Sequence, residues 1–139
     1  MRYKNEEEIL RVIESFENAS ISRDDWRHAE HLVVANHYLS ENDLDAAVAK
    51  MREGIFRLLR AFKVDLTKEM PYHETLTVFW MRTVAEFRKT KNGATTTLEL
   101  CNELVERFDK DYPLRFYTRE RLFSDEARAA FVEGDLGTF

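Results

Sequence analysis

Three of the chain's four histidines, His28, His31 and His37, lie within "WRHAEHLVVANHYL", residues 26–39, and the fourth, His73, stands in "PYHETLTVFW". Imidazole is the commonest side-chain ligand for Zn, Fe, Ni or Cu, and two histidines three apart on a helix can both reach one ion. At about 100° per residue, His28 and His31 fall on one helix face with Leu32, Ala35 and Leu39. His73 shares its face with Thr77, Trp80, Val84 and Phe87, whereas His37 lies opposite, in a polar stripe with Arg27, Glu30 and Glu41, and reads as a surface residue. The pattern predicts a mononuclear divalent-metal site built from His28, His31 and His73. Glu74 or Glu17 is then a fourth ligand or the acceptor that orients an imidazole, with Trp26 and Tyr72 at the rim of the pocket. A position near a helix N-terminus would keep His73 neutral, as a ligand must be.

The same residues have a simpler explanation, in which each inward histidine is a core side chain with one hydrogen-bonded ring nitrogen. Two functions therefore stand side by side. One is a metal-dependent enzyme acting on a small molecule, since an ion with three histidines and an open position activates water or binds a small ligand. The other is a non-enzymatic helical protein-interaction module with a buried histidine hydrogen-bond network. Stronger signatures are missing. "HETLT" has Thr77 where a zinc-protease helix needs its second histidine, and there is no phosphate-binding glycine loop, G-x-S-x-G or C-x-x-C.

Helices must position these residues, and the composition agrees. The 139 residues are 44% hydrophobic and 12% aromatic, with ten Phe but only four Gly and two Pro, which suits one packed all-α domain over residues 1–139. We expect a compact bundle of four to six helices. Amphipathic spacing and caps give a first helix through "NEEEILRVIESFEN" and a second from about Asp24 to Ser40. A third follows through "DLDAAVAKMREGIFRLLRAF", a fourth opening at Pro71 and a fifth through "TTTLELCNELVERF". Thr118 and Ser124 read as caps of a single turn and a short helix before the tail "EGDLGTF".

Net charge of −5 argues against nucleic acid and anionic membranes, and no run of 18 apolar residues suggests a span. The acidic N-terminus lacks the pattern of a signal peptide, so a cytoplasmic protein is expected. Cys101, the one cysteine, reads as a buried thiol on a helix face.

The segments "SFENASISRDDWRHAEHLVVANHYL", "MREGIFRLLRAF", "YHETLTVFW" and "FYTRERLFSDEARAAFVEGDL" together resemble a family of small uncharacterised bacterial all-helical proteins that carry W-x-H-x-x-H-L and Y-H-E-T motifs. The resemblance spans nearly the whole chain. By position it falls on Glu17, Trp26, His28, His31, Tyr72, His73 and Glu74, the residues already singled out, and it implies no established activity. The tail departs from the family, which tends to have Pro-Asp-Leu where this chain has Gly134, Asp135 and Leu136.

Overall fold

The computed structural model describes residues 1–65, 67 and 71–139, and every regular element among them is helical. Five longer helices form the body: α1 (Glu6–Glu17), α2 (His28–Glu41), α3 (Leu44–Ala61), α4 (Glu74–Lys89) and α5 (Thr97–Arg107). A 3-10 turn, Tyr112–Arg115, and two short helices, α6 (Arg119–Leu122) and α7 (Asp125–Ala129), complete an all-α bundle. Each body helix except α2 starts on a side chain that accepts a hydrogen bond from the first turn: Asn5, Asp43, His73 and Thr96 for α1, α3, α4 and α5. Thr118 and Ser124 do the same for α6 and α7, as their sequence positions suggest.

Two starts differ from the sequence expectation. In α2 the helix begins at His28, four residues after Asp24, because Ser22 draws the backbone into a turn: its carbonyl accepts from the amides of Asp25 and Trp26. Trp26 therefore lies outside the helix. In α4 Pro71 stays in extended chain and His73 takes the capping position, with its Nδ1 accepting from the Leu76 amide at 3.2 Å. His73 is thus outside the helical rotation that the wheel assumed for it.

α2 sits in the middle. It packs against α1, α3, α4 and α5, and Glu30, Leu32, Val33, Val34, Ala35, Asn36 and Tyr38 are all buried along it. Such a helix has no single inward face. The polar stripe expected for α2 is half wrong for this reason: His37 does pair with Glu41 at 3.2 Å, but Glu30 is buried. Its carboxylate accepts from Arg2 Nη2 at 3.0 Å, from the Tyr3 hydroxyl at 3.2 Å and from the Arg27 amide at 3.1 Å.

The core runs from Phe16 through Met51, Leu58, Phe79 and Met81 to Tyr117 and Leu122. A close approach of α1 and α3 makes Gly54 necessary, since a Cβ there would stand 2.4 Å from two ring atoms of the fully buried Phe16. The tail is tied down by Asp135, whose carboxylate accepts from both the amide and the hydroxyl of Thr118 at 2.8 Å. Gly134 allows this return, because a Cβ there would meet the Phe116 carbonyl oxygen at 2.4 Å. Among the described residues, no helix is long and apolar enough to cross a membrane.

Candidate functional site

His73 is held at both ring nitrogens. While Nδ1 caps α4, Nε2 lies 2.6 Å from the Leu122 carbonyl oxygen. An amide can only donate and a carbonyl can only accept, so the proton must sit on Nε2 and the ring is the neutral Nε2–H tautomer. Burial lowers the His73 pKa; the Leu122 carbonyl pulls the other way, and nearby Arg128 adds to the lowering. His28, at the first position of α2, aims Nε2 at the Phe108 carbonyl oxygen, 2.7 Å away, and its ring lies 4.6 Å from that of Trp80. Each of these rings ties the body of the bundle to a different point of the C-terminal third: His28 to the end of α5, His73 to the end of α6.

His31 behaves otherwise. Its Nε2 is buried and meets no protein partner, and burial, with His28 close by, pushes its pKa down to about 4. The ring lies 5.9 Å from that of Trp26, which is stacked on Phe16 at 4.8 Å. Buried groups of this kind are commonly satisfied by water or by a ligand atom.

Glu74 is committed to a cation. Arg52 reaches it with Nε at 2.9 Å and Nη2 at 2.6 Å, a two-pronged clasp, and the Tyr72 hydroxyl donates to Oε1 at 2.5 Å. Burial by itself raises the Glu74 carboxyl, but the hydrogen bonds from Arg52 and Tyr72 and the Arg52 charge outweigh it and hold the carboxyl below its ordinary range. Burial first, and then the bond to Glu74, push the Tyr72 phenol up to about 12. Tyr72 also stacks on Phe56, with ring centroids 4.5 Å apart. Glu17 ends α1 and accepts from the Tyr38 hydroxyl at 3.2 Å.

This geometry corrects the metal reading. Among the described residues no three of His, Cys, Asp and Glu are grouped so that they could hold an ion. The physical reason is that the assigned ligands are drawn to separate partners: His73 is held at both ring nitrogens by the Leu122 carbonyl and the Leu76 amide, Glu74 is clasped by Arg52, and His28 Nε2 is on the Phe108 carbonyl, which leaves His31 Nε2 without a companion ligand. The divalent metal, Zn, Fe, Ni or Cu, and the histidine site expected for it are therefore withdrawn. What the sequence did bring together is a cavity of about 190 Å³ lined by Trp26, His31, Tyr72 and His73 together with Trp80 and Leu76. Among the site residues predicted, His28, Glu17 and Glu74 are not part of its lining. It is smaller than the roughly 300–1,000 Å³ typical of small-molecule sites.

Sequence reasoning missed the polar pairs that fix the core. Asn36 accepts from Arg88 Nη1 at 2.6 Å and turns its amide nitrogen toward Cys101 Sγ at 3.8 Å. Asn102 pairs with both backbone groups of Tyr3, at 2.9 and 3.0 Å. A lone amide inside "LVVANHYL" was the available signal, because an amide among apolar neighbours must find buried partners. Cys101 is buried as expected; burial pushes its thiol up to about 12, which makes it a poor nucleophile. No protein-family model, curated protein or solved structure matches this chain.

Proposed function

We propose that the protein is a non-enzymatic helical interaction module whose buried histidines hold its C-terminal segments in place for a protein partner. One observation carries this reading: His28 and His73 each commit Nε2 to a carbonyl far along the chain, of Phe108 and Leu122. A histidine used this way positions backbone and is not free for chemistry. The segment so held carries Phe123 and Leu136, 44% and 58% exposed, two of the four large hydrophobic side chains left to solvent among the described residues. Membership of the family with W-x-H-x-x-H-L and Y-H-E-T motifs is part of the proposal, supported by His28, Tyr72, His73 and Glu74 of those motifs being engaged in hydrogen bonds. We assign the protein to the cytoplasm on the strength of Cys101, its one cysteine and a free thiol. Net charge of −5 supports a protein rather than a nucleic acid as partner.

The test has two arms. Purified protein is expected to carry no stoichiometric metal, and a chelator should leave its thermal melt unchanged, because only a ligand that binds the native state shifts it. One equivalent of metal whose removal lowers the melt would overturn the reading. In the second arm, tagged protein in its native cell extract should retain one partner in fixed stoichiometry. The double variant Phe123→Asp, Leu136→Asp should lose it while melting like the parent. Retention by both would move the interface elsewhere on the molecule and contradict the assignment of this face.

A further inference from the structure

A second cavity, of about 290 Å³, lies between the C-terminal half of α4, the end of α5 and the 3-10 turn. It stands apart from the histidine cavity, and its chemistry is different. Phe87, Phe108, Tyr112 and Phe116 form a continuous aromatic wall. Successive rings meet edge to face, with centroids 5.5 Å apart from Phe87 to Phe108, 4.9 Å from Phe108 to Tyr112 and 5.5 Å from Tyr112 to Phe116. Two arginines line the same space. Arg107 lies 5.7 Å from the centroids of both Phe87 and Phe108, and Arg82 lies 4.4 Å from Phe131 and 5.9 Å from Phe139.

Neither arginine has a carboxylate or carbonyl partner among the described residues; their contacts are with ring faces alone. Arg82 is half-buried and Arg107 exposed, whereas the half-buried Arg52 and Arg88 are matched with Glu74 and Asn36. Two cations thus stand beside one aromatic cavity on a chain of net charge −5. A guanidinium packed on an aromatic face keeps its edge N–H groups free, and that edge matches a planar carboxylate. Glu86, at the rim, is paired with Lys89 at 2.9 Å and limits how much negative charge the site tolerates. A volume near the lower end for small-molecule sites suits a single ring.

We propose that this cleft binds a small aromatic monocarboxylate, its ring against the Phe87–Phe116 wall and its carboxylate between Arg82 and Arg107. The site is independent of the partner reading above. Benzoate is the probe, with benzamide as its neutral counterpart and inorganic phosphate as an anion without a ring. Titration followed by amide chemical shifts should show benzoate perturbing residues 82–90 and 107–116 and leaving α1 unaffected. Benzamide should bind about tenfold more weakly or worse, as expected when a charge-assisted hydrogen bond is lost. Phosphate should not compete at equal concentration. Arg82→Gln combined with Arg107→Gln should reduce benzoate affinity about tenfold or more without altering the ring contacts; should that variant fail to fold, the benzoate and benzamide comparison on the parent protein still decides. Equal binding of benzoate and benzamide, displacement by phosphate, or shifts confined to other parts of the bundle would each overturn the proposal.

Discussion

Replacing His73 with alanine is expected to destabilise the protein by about 2–4 kcal/mol, measured by urea unfolding at pH 7. Two losses combine. The α4 N-terminus loses its cap, which costs about 0.5–2 kcal/mol, and the Leu122 carbonyl loses its donor in a buried setting, which costs about 1–3 kcal/mol. His73→Asn separates them. Asparagine is among the best capping residues but is too short to reach Leu122, so it should recover roughly 1 kcal/mol of the loss. Should His73→Ala unfold at the same urea concentration as the parent, neither bond contributes to the fold.

Acid should weaken the protein through His31. Its pKa is about 4 in the folded state against an ordinary value of 6.5, so the unfolded chain takes up a proton in a range where the native ring does not. Stability therefore depends on pH in a definite direction: it is unaffected above the unfolded pKa, falls as pH drops from about 6.5, and has lost the full contribution near 4. The loss from this ring is on the order of 3 kcal/mol. His73, also lowered, acts in the same direction below 6.5. The depressed Glu74 carboxyl adds its own loss at lower pH, as pH falls through its folded pKa and releases Arg52. His31→Leu should flatten the profile between pH 6.5 and 4 while leaving the steeper carboxylate loss below it. Parallel profiles for parent and variant would mean that His31 takes up its proton as readily in the folded as in the unfolded state.

Much of the fold could be read from the chain because its signals are local. Asn5, Asp43, Thr96, Thr118 and Ser124 cap helices where hydrophobic spacing begins, and each bond spans only three residues. The site was harder for a physical reason. A helical wheel assumes one inside and one outside, and α2, surrounded by α1, α3, α4 and α5, has neither. His28 and His31 share a face, yet one is drawn to Phe108, 80 residues away, while the other has no protein partner. Sequence spacing carries no trace of such a contact. His73 was misplaced because a histidine can cap a helix as well as ride on it, and Pro71 offered a more familiar start. Trp26, His31, Tyr72 and His73 line one cavity, while His28, Glu17 and Glu74 lie outside its lining.

The central claim, that His28 and His73 are hydrogen-bonding posts and not metal ligands, is tested most directly by nitrogen-detected NMR of the imidazole rings at pH 7, before and after one equivalent of Zn. The structure requires His73 to be the neutral Nε2–H tautomer, with Nδ1 accepting from the Leu76 amide, and its ring signals should not move when the metal is added. A His73 protonated at Nδ1, or Zn-induced shifts shared by His28, His31 and His73, would contradict it.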